Sequence, residues 1–282
     1  MDKIWLKNYP EGMPAEIDAD QFRSIPDLLD KLFSKFADKP AYHNLGRTIS
    51  YAELEALSRA FAAYLQGLPG MARGERVAIM SPNLLQYPVV LFGILRAGMV
   101  VVNVNPLYTP RELEHQLQDS GARAIVIVEN FASTLQQVLG KTRVKHVITT
   151  QVGDLLPIPK RWLVNFVIKY VRKMVPAWQI DGATTLDAAL ERGSVAKGAM
   201  LTHRNILANL EQTGIWISVS FKEGAEIVIA PLPMYHIFCL TSTLSFMKWG
   251  SLSVLITNPR DLPALVKEMG SWKFTTMTGV NT

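Results

Sequence analysis

Two hydrophobic patterns alternate along this chain. Short runs of mainly apolar residues are typical of strands covered on both faces. These runs lie at 40–44, 48–50, 76–80, 100–102, 124–128, 146–150, 226–230, 253–256 and 274–277. Segments with apolar residues three or four positions apart predict helices between them. These segments lie at 25–36, 54–65, 81–97, 110–120, 131–139, 185–192, 202–214, 241–249 and 261–269. The alternation predicts an α/β fold of mainly parallel sheets with helices on both sides.

Local capping residues strengthen several of these helix predictions. Thr109 precedes Pro110, and Glu112 follows three residues after Thr109, which is the arrangement of a capping box with proline in the first turn. Gly121 predicts the end of that helix. Ser50 and Glu53 have the same spacing, so we expect a second capping box there.

Charge and cysteine content limit the partners and the cellular compartment expected for this chain. The formal charge is +5 and the isoelectric point is about 9.2, values compatible with an anionic lipid or an anionic substrate. Basic residues are not interleaved with aromatic ones, so we expect no nucleic-acid partner. Cys239 is the single cysteine, which excludes an internal disulfide and fits a reducing compartment. Because it lies in an apolar run, we interpret it as a buried small side chain rather than a nucleophile.

Neither a leader nor a membrane span is evident. Residues 1–5 lack the layout of a signal peptide. The longest apolar stretch, 89–104, is interrupted by Arg96 and Gly98, whereas a spanning helix needs about 20 apolar residues. We therefore expect a cytoplasmic protein without a transmembrane segment.

The segment 160–176 differs from its surroundings. Apolar residues recur there at helical spacing, and no acidic residue occurs between Leu155 and Ile180. Its basic residues are Lys160, Arg161, Lys169, Arg172 and Lys173. The pattern is typical of a helix that lies on an anionic membrane surface. The alternative is an ordinary surface helix whose apolar face is turned into the core.

Two strings near the end of the sequence carry candidate chemistry. In 195–205 a Lys-Gly pair precedes a helix that Thr202 can cap, which is weak evidence for phosphate binding because no glycine-rich run comes before the lysine. In 230–238, His236 has an apolar setting, where a hydrogen-bonded core histidine is the alternative to a catalyst. No histidine, cysteine or carboxylate cluster has the spacing of a metal site, so no metal ligand is assigned.

Taken together, these strings resemble the adenylate-forming enzymes, and in particular the bacterial long-chain fatty acid–CoA ligases. Residues 195–205 resemble the second half of that family's phosphate loop, and 230–238 resemble its next core motif. The strings at 83–88, 96–98, 103–109 and 256–261 narrow the match. The resemblance extends along essentially the whole chain.

The resemblance implies a two-step reaction. A long-chain fatty acid attacks ATP, which gives acyl-adenylate and pyrophosphate, and the thiol of coenzyme A then displaces AMP; Mg²⁺ assists by neutralising phosphate charge. By this resemblance the phosphate-binding residues are Val195, Ala196, Lys197, Gly198 and Thr202. The acyl and carboxylate site falls on Tyr235, His236, Thr278, Gly279 and Val280.

The resemblance also implies an organisation. Residues 1–193 correspond to the first α/β subdomain and 194–282 to the start of the second. The small C-terminal domain with its catalytic lysine has no counterpart here. A homodimer is possible for this family. Because the substrate of this family partitions into lipid, the resemblance also favours contact between the basic segment and the inner face of the bacterial inner membrane.

One departure from the family pattern affects activity. The Thr/Gly-rich half of the phosphate loop is missing between Ser194 and Val195. Three explanations remain open: a gene fragment with an internal deletion, a degenerate homologue, or a longer protein whose missing residues have been closed up in the numbering. We expect the 282 residues alone to be inactive. The rival function is that of a non-catalytic fragment that binds lipid or a membrane surface.

Overall fold

The computed structural model describes residues 3–11, 13–18, 20–193 and 204–280. Its α-helices are α1 (Ile25–Lys35), α2 (Tyr51–Gly67), α3 (Gln86–Arg96), α4 (Pro110–Ser120), α5 (Ala132–Gln136), α6 (Lys160–Phe166), α7 (Leu186–Gly193), α8 (Arg204–Ser218), α9 (Ile237–Lys248) and α10 (Leu262–Gly270). A π-helical turn, Val167–Val171, continues α6. The strands are β1 (Pro40–Asn44), β2 (Arg47–Ser50), β3 (Arg76–Met80), β4 (Val100–Val104), β5 (Ala124–Val128), β6 (His146–Thr150), β7 (Thr184–Thr185), β8 (Ile227–Ala230), β9 (Leu252–Leu255) and β10 (Thr276–Met277).

The strands form two sheets of five. One has the order β4-β3-β5-β6-β7 and is parallel throughout. The other has the order β10-β8-β9-β1-β2 and is parallel except for the β1–β2 hairpin. The predicted fold class, mainly parallel sheets flanked by helices, is confirmed.

The second sheet joins distant parts of the sequence. Strand β1 pairs with β9, with Tyr42 opposite Ser253 and His43 opposite Val254. Residues 40–50 therefore share a sheet with residues 227–277. The division predicted at residue 193 does not coincide with the division between the sheets.

The largest core cluster lies around α1, α2, α3 and α9. Tyr42, Tyr51, Phe33 and Phe92 are fully buried in it. Helices α2 and α3 approach closely because Gly93 has no side chain, and a Cβ there would lie 2.7 Å from Cδ1 of Phe61. A second cluster fills the opposite face of the all-parallel sheet, between β3, β5 and α4.

Several sequence predictions of boundaries need correction. The Thr109–Glu112 capping box and the left-handed Gly121 are present as predicted. Ser50 caps α2, but the Glu53 carboxylate accepts from Arg47 instead of closing a box. Helix α3 begins at Gln86 rather than near 81, because residues 81–85 form an irregular connection between β3 and the helix. Helix α9 begins at Ile237, four residues earlier than predicted.

Candidate functional site

The candidate site lies at one edge of the second sheet. Strands β1, β8, β9 and β10 run parallel, so their carboxyl ends meet at this edge. In open α/β sheets, ligands bind outside the carboxyl ends of the strands. The edge loop, defined here as residues 231–236, follows β8, and residues 278–280 follow the neighbouring β10. The structure thus brings the two predicted parts of the acyl site to adjacent strand ends.

Asn83 fixes the edge loop from the other sheet. This side chain follows β3 and is 3% exposed. Its Nδ2 donates to the carbonyl of Leu232 at 2.8 Å, and its Oδ1 accepts from the backbone N–H of Met234 at 2.8 Å. The sequence placed Asn83 in a helix start and missed this role. A polar side chain three residues after the apolar strand was the available signal.

A buried polar network extends from Asn83 along the sheet edge. The hydroxyl of Thr257, which follows β9, donates to the carbonyl of Asn83 at 3.0 Å. The same hydroxyl accepts from Nδ2 of Asn44 at 2.9 Å, and that Nδ2 also donates to the carbonyl of Leu255 at 2.9 Å. The ends of β1, β3, β8 and β9 are therefore tied together by side-chain hydrogen bonds.

Tyr235 stands between the core and solvent. Its ring is half-buried and packs against the main core cluster. Burial raises the pKa of its phenol, while the positive charge of Arg260 opposes that shift. The phenol therefore stays protonated at neutral pH and can act as a hydrogen-bond donor.

His236 is exposed, so the interpretation as a core histidine is wrong. It is the N-cap of α9, and its Nδ1 accepts from the backbone N–H of Phe238 at 3.3 Å. Because Nδ1 is the acceptor, the neutral ring carries its proton on Nε2. His236 thus presents a donor at the sheet edge while its backbone starts the helix.

The three residues after β10 differ in exposure. Thr278 is buried, and its backbone N–H donates to the carbonyl of Ile229 at 3.2 Å. Its Oγ1 is buried without a hydrogen-bond partner among the described residues. Gly279 and Val280 are exposed, and a Cβ on Gly279 would meet no described atom within 4 Å.

The predicted phosphate-binding residues cannot be placed. Val195, Ala196, Lys197, Gly198 and Thr202 lie outside the described residues. Helix α7 before them and helix α8 after them match the predicted helices, although α8 extends to Ser218 rather than Gly214.

The predicted basic segment divides into inward and outward residues. Arg161 pairs with Asp154 at 3.5 Å and with Asp187, and Lys169 pairs with Glu129 at 3.3 Å. Lys160, Arg172 and Lys173 are exposed. Arg161 and Lys169 therefore attach the segment to the protein, which their sequence positions did not reveal.

The apolar side of this segment is turned outward. We call it the exposed apolar patch, and its members are 56–65% exposed: Ile158, Trp162, Leu163, Phe166, Tyr170, Val171 and Met174. The alternative, in which the apolar face lies in the core, is wrong for these residues. Val164, Val167, Ile168 and Val175 are half-buried and provide the attachment instead.

Cys239 and the possible metal ligands of the described residues contribute no further chemistry. Cys239 is fully buried, and burial raises the pKa of its thiol to about 11, which confirms it as a structural side chain. In the part of the chain that the structure describes, no three His, Cys, Asp or Glu side chains are grouped to hold a metal ion. No helix within those same ranges is long and apolar enough to cross a bilayer.

Curated relatives match 90–100% of this chain. A long-chain-fatty-acid–CoA ligase of Escherichia coli O157:H7 is 51% identical over 308 aligned positions, which cover 100% of this chain and 55% of the relative. The corresponding ligase of Bacillus subtilis is 30% identical and covers 90% of this chain and 50% of its own length. The chain thus spans about half the length of these relatives.

Solved structures share the fold. A long-chain-fatty-acid-CoA ligase from Archaeoglobus fulgidus has a TM-score of 0.73 at 20% identity, over 95% of this chain and 53% of its own. An anthranilate CoA ligase in complex with anthranoyl-AMP has a TM-score of 0.74 at 16% identity, over 93% of this chain and 51% of its own.

The family assignment covers most of the sequence. The AMP-binding enzyme family matches residues 29–185 and 194–282, and the break between them lies beside the predicted gap in the phosphate loop. Because these two ranges take in well over half of the sequence, the edge loop and Asn83 included, the chain belongs to the AMP-binding enzyme family.

Proposed function

We propose that this chain is part of an enzyme that activates long-chain fatty acids with ATP and transfers them to coenzyme A through an acyl-adenylate. The observation that carries the proposal is the 51% identity to a long-chain-fatty-acid–CoA ligase along the whole chain. The convergence of the edge loop and residues 278–280 at one sheet edge supports it.

In this proposal the acyl carboxylate lies at the carboxyl edge of the second sheet. The phenol of Tyr235 and the Nε2–H of His236 are donors suited to carboxylate or carbonyl oxygen. The open space beside Gly279, past the carboxyl end of β10, leaves room for an acyl chain among the described residues. Val195, Ala196, Lys197, Gly198 and Thr202 are proposed for the phosphates on sequence grounds alone.

Magnesium is implied by the family but receives no ligand here. The described residues at this edge contribute amides, hydroxyls, Tyr235 and His236 rather than a cluster of carboxylates, which Mg²⁺ prefers. ATP and coenzyme A are proposed as substrates of the whole enzyme.

We further propose that the 282 residues do not form acyl-CoA by themselves, because half of the phosphate loop has no counterpart in the sequence. The test combines binding with turnover. Isothermal titration with oleate should show binding that Tyr235→Ala weakens about tenfold, and incubation with oleate, ATP and coenzyme A should yield no oleoyl-CoA. Absence of oleate binding would refute the acyl site, and oleoyl-CoA above a heat-killed control would refute the inactivity.

A second candidate function is binding to an anionic membrane surface, and the exposed apolar patch favours it. Exposed Trp162, Phe166 and Tyr170 can insert among lipid headgroups while Lys160, Arg172 and Lys173 meet anionic lipids. The proposed location is the cytoplasmic face of the bacterial inner membrane.

Vesicle co-sedimentation tests this second function. Arg172→Glu combined with Lys173→Glu should abolish binding to vesicles that contain phosphatidylglycerol, and Phe166→Ser should weaken binding to the same vesicles. Lys7→Glu, which reverses one exposed charge far from this segment in the sequence, is the control for a change in net charge alone. Binding that ignores both patch variants would contradict membrane contact through this segment.

A further inference from the structure

The buried amide of Asn83 connects the two sheets at the candidate site. It follows β3 of the all-parallel sheet, yet its side-chain hydrogen bonds go to the loop after β8 of the other sheet. The amide acts as donor and acceptor at once: Nδ2 donates to the Leu232 carbonyl, and Oδ1 accepts from the Met234 N–H. A hydrophobic residue of similar size could fill the space but could make neither bond.

The edge loop depends on this amide for its backbone partners. The Leu232 carbonyl accepts from Asn83 and from the Cys239 thiol, whose Sγ lies 3.0 Å away. Met234 is fully buried, so its N–H has no access to water if the bond to Asn83 is lost. A buried amide hydrogen left unpaired is costly, and the loop would move to satisfy it.

Tyr235 and His236 directly follow Met234, so displacement of Met234 moves both. The N–H of His236 donates to the carbonyl of Pro233 at 3.0 Å, which closes a tight turn within the same loop. The position of both candidate donors is therefore set by atoms that Asn83 holds.

We infer that Asn83 is a positioning residue, which holds Tyr235 and His236 at the sheet edge through the backbone of Leu232 and Met234 and does not itself touch the acyl substrate. This inference rests on the proposed function for the role of the two donors. The hold on the loop is independent of that function. Thr257 supports Asn83 through its bond to the Asn83 carbonyl.

Hydrogen exchange at the Met234 amide measures directly how firmly Asn83 holds the edge loop. In Asn83→Ala and in Asn83→Leu, exchange at the Met234 amide should accelerate about tenfold or more relative to the parent chain. Asn83→Leu separates hydrogen bonding from packing, because it restores bulk without polar atoms. Thr257→Val, which keeps the shape of its side chain, should cause a smaller acceleration of the same sign and serves if the Asn83 variants fail to fold.

The matched control is Asn165→Ala. Asn165 also accepts from a backbone N–H, that of Gly153 at 2.7 Å, and donates to Asp154 at 3.2 Å, but it lies in α6. The Asn165→Ala variant should leave exchange at the Met234 amide unchanged. Fluorine NMR of 3-fluorotyrosine, with the Tyr235 resonance identified by Tyr235→Phe, should show a shift in the Asn83 variants and none in Asn165→Ala.

Oleate titration of the same variants separates the two proposals. If the loop is released and oleate affinity falls about tenfold, both stand. If Asn83→Leu leaves Met234 exchange and the Tyr235 resonance unchanged, the inference about Asn83 is overturned whatever oleate does. If the loop is released but oleate binds as in the parent, the loop does not position the acyl site and the inference is overturned. If the parent binds no oleate, the proposed function fails. The exchange data still show whether Asn83 holds the edge loop in place.

Discussion

Lys169 and Glu129 form an ion pair of 3.3 Å on the inner side of the basic segment, whereas Arg172, three residues further on, is exposed. Lys169 and Arg172 are both basic residues of the segment 160–176, yet they have different physical roles. One holds the segment to the sheet below it, and the other is available to a surface outside the protein.

Matched substitutions should separate these roles. Lys169→Met leaves the mostly buried Glu129 carboxylate without its partner and should lower the free energy of unfolding by about 1 kcal/mol. Arg172→Met removes an exposed charge and should change it by less than about 0.5 kcal/mol. Urea denaturation followed by circular dichroism measures both, and equal effects would contradict the assignment.

The closest approach of α2 and α3 predicts a strong size restriction at Gly93. A Cβ there would lie 2.7 Å from Phe61 Cδ1 and 3.0 Å from the carbonyl of Ser58. Gly93→Ala should destabilise the protein by about 1–3 kcal/mol despite the better helix propensity of alanine.

Gly67→Ala is the control for this substitution. Gly67 is also helical, but a Cβ there meets nothing within 4 Å. The change should therefore be neutral or stabilising, by up to about 1 kcal/mol. Thermal unfolding of the two variants gives the comparison, and a stable Gly93→Ala with an unchanged melting temperature would show that α2 and α3 are further apart than described.

The capping box of α4 predicts a specific dependence on pH. Hydrogen bonds from the hydroxyl and the backbone N–H of Thr109 hold the pKa of the Glu112 carboxyl below its ordinary value of 4.5. A lowered folded-state pKa gives stability that is present above the unfolded pKa and is lost as pH falls through the folded pKa. The stability difference between the parent and Glu112→Gln should therefore shrink as pH falls below about 4.5.

Urea titrations of the parent and Glu112→Gln between pH 7 and pH 3 check this sign. A difference that grows on acidification would contradict the capping role of the carboxylate. Thr109→Ala should cost about 1 kcal/mol at pH 7 because it removes the cap itself.

The buried thiol of Cys239 predicts low reactivity. Its pKa of about 11 exceeds the ordinary value of 9.0, so at pH 8 the thiolate is about a hundredfold scarcer than in an unperturbed cysteine. Iodoacetamide should label the native chain at least that much more slowly than the urea-unfolded chain, as followed by mass spectrometry. Equal labelling rates would show that the region between Leu232 and α9 opens freely.

Local features of the fold were predictable from sequence because their causes are local. Thr109, Pro110, Glu112 and Gly121 define helix α4 within a dozen neighbouring residues, and the structure shows each in its predicted place. The apolar run 124–128 likewise predicted a strand covered on both faces, and every residue of β5 is buried.

Other features depend on contacts between distant residues, which spacing does not encode. The pairing of β1 with β9 joins positions more than 200 residues apart, and the bonds of Asn83 to the edge loop span 149 and 151 residues. Periodicity also cannot say whether an apolar helix face meets the core or solvent. For this reason the sequence left open whether the apolar face of the segment 160–176 lies outward or in the core, and the structure shows it outward.

Photo-crosslinking can locate the acyl site at the edge of the second sheet. A palmitate analogue with a diazirine on its chain would be irradiated with the purified 282-residue chain, and labelled peptides would be identified by mass spectrometry. We expect labels in 231–238 and 276–280, and we expect excess palmitate to remove them. Labels confined to 158–174, or labels that palmitate does not displace, would contradict an acyl site at the edge of the second sheet.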